Sequence, residues 1–197
     1  MKNIKIISTV LIVSGIALLL YTFGAKYLTV LRQNNMVKNY EQEIKKYRKP
    51  SPANYHAKIT NTPSTDGTIG ILVIPKIDLK VTIGEGTDMR TLKYAVGHFK
   101  NTAMPGQKGN FALAGHRSYT YGQYFNRLGE LKNGDEIYVE TINKNYKYTI
   151  YSIKVVLPNQ IEVLNPTKDS TITLVTCTPI RIATHRLIIK AKEKSSL

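Results

Sequence analysis

The chain of 197 residues contains one cysteine, Cys177, and four histidines, His56, His98, His116 and His185. Cys177 ends "TITLVTC", in which β-branched residues alternate up to the thiol, and "TP" follows, so the sulfur is expected at a strand end. Such a position holds a nucleophile on rigid backbone and leaves it reachable from a cleft. By itself, a lone cysteine closing an apolar strand is more often a small buried hydrophobe. His116 changes the balance, because it ends a second strand-like run, "NFALAGH", before the Gly- and Ser-containing stretch "RSYTYG". A thiol and an imidazole at two strand ends suit acyl transfer, since the imidazole can trade a proton with the thiol and later with a leaving amine.

Arg186 lies nine residues beyond Cys177. Sharing a face with the cleft, its permanent charge would hold a developing oxyanion or a substrate carbonyl; otherwise it is a solvated charge on a strand. His185 would then point to the opposite face. His56 reads as a solvated linker residue and His98 as a packed or surface histidine. One cysteine and four scattered histidines offer no H-E-x-x-H or C-x-x-C spacing, and no glycine loop could cradle a phosphate, so neither metal nor cofactor is expected.

The elements that must position these groups begin with an anchor. Lys2 and Lys5 precede an uncharged stretch from Ile6 through Ala25. Twenty helical residues rise about 30 Å, the thickness of a hydrocarbon core. The stretch ends "TFGAK", a poor cleavage site, so it reads as an uncleaved membrane anchor rather than a signal peptide. The expected topology keeps the N-terminus inside and the rest outside, although Lys26 and Arg32 soften the charge contrast. Outside the cell a leftover thiol is either paired with another chain or kept free for chemistry.

Net charge is +15, from 28 Lys and Arg against 13 Asp and Glu. Residues 1–59 hold ten of those basic side chains against Glu41 and Glu43 alone, so much of the excess sits in the anchor and stalk, where it suits an anionic membrane or wall polymer. No nucleic-acid motif accompanies the charge, and nucleic acid is not an expected partner.

From Tyr27 to Arg48, Leu28, Leu31, Met36, Tyr40, Ile44 and Tyr47 recur at helical spacing, predicting a juxtamembrane helix. "KPSPANYHAKITNTPSTDGT" lacks apolar periodicity and reads as a linker, with the domain boundary near Gly67. The expected division is an anchor over 1–25, a juxtamembrane helix and linker over 26–66, and a catalytic domain over 67–197. That domain contains the short β-rich runs "GILVIP", "LKVTIG", "FALAGH", "EIYVETI", "YKYTIYSIKVVLP", "TITLVT" and "HRLIIKAK". Asn143-Lys144-Asn145 reads as a hairpin loop, and short helices are expected around Asp88–Val96 and Tyr121–Leu131. Many strands and few helices predict an all-β dominated, closed or nearly closed β-barrel.

"IGILVIPKIDL", "ALAGH" ending at His116, and "TLVTC" with Arg186 nine positions on together resemble a sortase, over roughly Ile69 to Lys192. The resemblance implies a membrane-anchored cysteine transpeptidase of the kind found chiefly on Gram-positive cells, with an eight-stranded barrel. Cys177 would be the nucleophile, His116 the general acid and base, and Arg186 the group that stabilises the oxyanion and orients the peptide. Substrate contact is expected at Thr176 and, around the histidine, at Ala114, Ser118 and Tyr119. In the family, an LPxTG-like C-terminal sorting signal on a surface protein is cut between Thr and Gly. The thioacyl enzyme then passes to an amine of peptidoglycan or of a lipid-linked precursor. A thiolate and an imidazolium are both needed, so a bell-shaped pH profile is expected.

The loop from Leu157 to Pro166 lines the sorting-signal groove in the family. No acidic cluster here matches the calcium ligands of some class A members. The end "KAKEKSSL" without an apolar run, and "KPSP" without the Asp-Pro-aromatic lid signature, speak against a pilin-polymerising sortase, while the short loop from Thr178 to Thr184 and "MPGQKGNFALAGHRSYTYGQYFNRL" resemble class D or class E. The alternatives are a pilin-polymerising sortase, a hydrolytic cysteine peptidase of the envelope, or a basic, membrane-tethered wall-binding module without activity.

Overall fold

The computed structural model describes residues 2–48, 67–117 and 123–194. The expected linker with His56, and Ser118 and Tyr119, lie outside the described residues. Helix α1 runs unbroken over Lys2–Arg48, so the juxtamembrane helix expected from Tyr27 onward is the continuation of the apolar one. No proline interrupts it before Pro50. Thr9, Ser14, Thr22 and Thr29 each donate to a carbonyl three or four residues back at 2.9 Å, which satisfies their hydroxyls within the helix. Among the described residues this is the one helix long and apolar enough to cross a membrane.

Eight strands follow: β1 Thr68–Ile74, β2 Leu79–Glu85, β3 Val96–His98, β4 Gly109–Ala114, β5 Glu136–Glu140, β6 Asn145–Val156, β7 Ser170–Thr178 and β8 His185–Glu193. They close into a barrel in the order β1-β2-β3-β4-β7-β8-β6-β5, as many short β-rich runs with few helices predict. The β2–β3 and β4–β7 pairs are parallel and the others antiparallel. Closure leaves no sheet edge unpaired. Phe111 and Leu113 of β4, Ile172 and Leu174 of β7, and Leu187 and Ile189 of β8 point into the common core.

Three local expectations shift. Helix α2 spans Met89–Tyr94, shorter than Asp88–Val96, because Asp88 is its cap and Val96 is taken by β3 pairing. The Asp88 carboxylate accepts from the backbone N–H groups of Arg90 at 2.9 Å and Thr91 at 3.2 Å, and the Thr91 backbone bond leads the causes that lower its pKa. Among the described residues of the expected Tyr121–Leu131 helix there are two 3₁₀ turns, Gln123–Phe125 and Leu128–Glu130. Phe125 closes the first turn and Leu128 opens the second, and both are buried, so each short turn delivers one side chain to the core. The β5–β6 turn is 141–144, not Asn143–Asn145: Asn145 already pairs with Glu140, and the Thr141 hydroxyl closes the turn by accepting from Lys144 N at 3.1 Å. β3, only three residues long and centred on Gly97, had no readable alternation.

Helix α1 lies along β1 and β2. The buried Tyr40 donates from Oη to Ile69 O at 2.7 Å, and Glu41 pairs with Lys80 at 2.6 Å. That hydrogen bond raises the Lys80 pKa. Arg48 donates to Ile142 O at 3.1 Å, to Asn145 Oδ1 at 2.8 Å and to Thr141 O, gripping the β5–β6 turn.

Candidate active site

The site is built where β4, β7 and β8 run side by side. Parallel register pairs Ala114 with Val175, and Gly115 N donates to Val175 O at 3.2 Å, so the ladder continues past the end of β4. His116, two residues beyond Ala114, therefore arrives level with Cys177, two beyond Val175. On the other side of β7, Cys177 is the direct antiparallel partner of Arg186, and Thr178 of His185. Since Ile172, Leu174, Leu187 and Ile189 point inward, strand alternation puts Cys177 and Arg186 together on the outer face. His185 falls on the other face, its Nδ1 3.0 Å from the Thr184 hydroxyl. Cys177 is a free thiol, and Cys177, His116 and Arg186 are all half-buried, so each is held by neighbours yet open to a ligand.

The catalytic-type residues are flanked by groups that fix their backbone. Thr176 is 2% exposed and donates from Oγ1 to Gly115 O at 2.7 Å, across 61 residues of sequence. Expected in the groove, it is instead turned inward, fastening the turn that carries the histidine to the strand that carries the cysteine. Phe125 N donates to His116 O at 3.2 Å, and a Cβ on Gly115 would approach the buried Phe125 ring to 2.6 Å, so glycine is what lets that turn close. Arg117 donates from Nη1 to Thr178 Oγ1 at 3.0 Å, joining the residue after the histidine to the residue after the cysteine. Arg186 is held by donating from Nη1 to Ala183 O at 3.1 Å and His185 O at 3.0 Å. Its guanidinium is thus fixed beside the thiol-bearing strand by the short loop between β7 and β8.

Ala114 is half-buried at the end of β4, beside this face. The loop from Leu157 to Pro166 carries the 3₁₀ turn Ile161–Leu164 and exposes Leu157 and Ile161. It is tied to the barrel by Asn110, which is 1% exposed. Asn110 Nδ2 donates to Val163 O at 3.0 Å and Asn165 O at 3.3 Å, while Oδ1 accepts from Thr173 Oγ1 at 2.6 Å. A fully satisfied buried amide of this kind gives the loop one position relative to β4 and β7. Sequence reasoning passed over Asn110, Arg117 and Phe125. The available signals were an asparagine inside an otherwise apolar strand and an arginine directly after the histidine.

His98 proves to be a packed residue: 1% exposed, with Nδ1 3.1 Å from Glu85 Oε2 and Nε2 3.0 Å from Thr102 Oγ1. Among the described residues, no three His, Cys, Asp or Glu side chains are grouped so as to hold a metal ion. Burial pushes the Tyr124 phenol well up, with nearby Tyr94 adding to the shift, so it stays neutral beside the His116 turn.

Comparison with known proteins gives the same picture from outside. A family model described as a sortase domain matches residues 72–194. The chain is 33% identical to sortase SrtE1 of Streptomyces coelicolor over an alignment taking in 95% of this chain and 56% of that protein. It is 35% identical to sortase D of Bacillus subtilis, over 68% of each chain. It thus spans little more than half the length of the Streptomyces relative. Among solved structures, a sortase D5 transpeptidase of Clostridium perfringens superposes with a TM-score of 0.68 at 32% identity, covering 83% of this chain and 99% of that one. Sortase C1 of Streptococcus agalactiae gives a TM-score of 0.64 at 27% identity, covering 81% and 90%.

Proposed function

This chain belongs to the sortase family, and on that premise we propose that it is a membrane-anchored cysteine transpeptidase that attaches proteins bearing an LPxTG-like sorting signal to a cell-wall amine. The observation that carries the reading is the convergence of three residues: Cys177 opposite Arg186 across β7 and β8, with His116 level with Cys177 across β4 and β7. The thiolate of Cys177 attacks the Thr carbonyl of the signal, and the Arg186 guanidinium bears on the oxyanion that forms. The His116 imidazolium gives its proton to the departing Gly nitrogen, leaving a Thr thioester on Cys177 and a neutral imidazole. An acceptor amine attacks that thioester, His116 takes up the amine proton, the C–S bond breaks, and thiolate and imidazolium are restored. The thiol stays unpaired because it must attack as a thiolate in the first half of the cycle and depart as one in the second.

Residues 1–25 anchor the protein with the N-terminus inside, 26–66 form the stalk, and 67–197 form the catalytic barrel outside the membrane. Support comes from the unbroken α1, its apolar part, and Lys2 and Lys5 on the N-terminal side of that part. The test is the intact mass of the full chain in detergent, incubated with an LPxTG peptide with and without an amine, beside Cys177→Ala. A peptide-sized adduct on the native chain, discharged by the amine as an amide, is the expected result. Cys177→Ala is expected to lose the adduct and at least about 10³-fold of turnover. Discharge to free acid despite abundant amine would make the enzyme a hydrolase. The absence of any adduct across a panel of sorting signals would sink the assignment.

A further inference from the structure

Resting on the reading of residues 6–25 as a membrane span, the geometry points to a second membrane contact: α2, through Met89, Arg90 and Lys93, sits on an anionic lipid surface and holds the active-site end of the barrel against it. The argument starts from the continuity of α1 over Lys2–Arg48. The same rigid rod crosses the bilayer and is clasped by the barrel, so the height of the barrel above the lipid is set by where the first clasp falls. That clasp is Arg32, whose guanidinium lies 4.5 Å from the centre of the Tyr94 ring at the end of α2. Arg32 is seven residues beyond Ala25, about 10 Å along the helix. The polar layer on each side of a bilayer is about 5–8 Å deep. Tyr27, Leu28, Val30 and Leu31 are still exposed and apolar beyond Ala25, which draws the boundary further toward Arg32. Ala25, Leu28, Thr29 and Arg32 line one side of a cleft of about 430 Å³ whose other side is Lys93 and Tyr94. The end of α2 thus faces the last turn of the span across this cleft.

The chemistry of α2 matches that position. Met89 is 72% exposed, an apolar side chain that no part of the barrel covers. The Arg90 side chain is 98% exposed even with Asp88 3.7 Å away, and Lys93 is exposed beside Tyr94. Asp88, the acidic residue nearby, is turned toward the N–H groups of its own helix. With Lys26 and Arg32 on α1, the corner carries four cations around an apolar tip, the composition that binds at an anionic headgroup layer. Its connection to the site is short. α2 leads through Ala95 into β3, where Gly97 pairs with Ala114, two residues before His116. Seating α2 on the lipid therefore fixes how high the Cys177 cleft stands above the membrane.

The chain contains no tryptophan, so a single introduced one is an unmixed reporter. The experiment uses the full chain in nanodiscs of phosphatidylcholine with phosphatidylglycerol, doped with lipid spin-labelled near the headgroup for positions 89 and 151 and, in a parallel sample, with lipid spin-labelled along the acyl chain for position 18. Met89→Trp is compared with Leu18→Trp inside the span and Tyr151→Trp on β6. The expected result is quenching at position 89 at least twofold stronger than at 151, falling when phosphatidylglycerol is omitted or when Arg90→Glu and Lys93→Glu are added. Strong quenching at 18 with equal quenching at 89 and 151 leaves the anchor standing and overturns the α2 contact. Quenching at 89 indifferent to both lipid charge and the two reversals overturns the anionic-surface assignment. No quenching at 18 removes the span, and the inference with it.

Discussion

On the β4–β7 face that carries Cys177 the fully buried fasteners are uncharged, with Arg117 and Arg186 adding half-buried charged bonds, whereas along the α1 flank the fasteners are mostly exposed and ionic. Thr176, Asn110 and Gly115 act at the first through a hydroxyl, an amide and the absence of a side chain. At the second, Glu41–Lys80 and the Arg48 grip accompany one buried bond, that of Tyr40. Buried neutral hydrogen bonds have one good geometry and are costly to leave unmade; exposed ion pairs are screened and forgiving. The molecule is thus most exacting where chemistry is proposed and more compliant where the barrel leans on its stalk.

The sharpest way to break this contrast is Arg186→Lys. Charge is kept but the planar fork is lost, and the single point charge cannot hold both loop carbonyls and an oxyanion, so kcat/KM should fall about 10²-fold. Near-normal kinetics would remove Arg186 from the proposed mechanism. Next is Asn110→Ala, which strands the Thr173 hydroxyl and frees the carbonyls of Val163 and Asn165. With ordering of the loop left to the substrate, KM for the sorting signal should rise about tenfold while kcat holds, since each 1.4 kcal/mol is tenfold. A fall in kcat alone would mean that the loop is not what Asn110 serves.

Alkaline pH tests the far end of the barrel, where Tyr148 pairs with Glu193 and accepts from Gly106 N at 3.1 Å. Burial, the leading cause, pushes this phenol up to about 12, above its unfolded value. A raised pKa means the folded state keeps a proton that the unfolded chain gives up. The associated stability is whole below about pH 10 and is lost as pH rises through 12, by about 3 kcal/mol. Urea midpoints across that window should fall less steeply for Tyr148→Phe. The smallest effects belong to the stalk contact. Tyr40→Phe should cost about 1 kcal/mol and Glu41→Gln about 0.5 kcal/mol or less, with peptide turnover in both unchanged. Chemical denaturation beside a turnover assay checks the pair; an equal cost for both would erase the distinction between buried and exposed fasteners.

Much of this was legible in the chain itself. Short β-rich runs broken by turn residues marked seven of the eight strands, and twenty uncharged residues marked the helix that could span a membrane. Three motifs in order marked the family, because each is a local pattern whose meaning survives without neighbours. β3 escaped because three residues around a glycine carry no period, and Thr176 was expected in the groove because its orientation depends on which face of β7 turns inward. What only the tertiary structure decided is which distant residues share a bond: Thr176 with Gly115, Arg117 with Thr178, Asn110 with the loop at 163–165, Tyr94 with Arg32. Composition and spacing determine which segments form strands and which side chains can react. Register and closure determine which of them meet, since a shift of one residue along β7 would exchange the faces of Thr176 and Cys177.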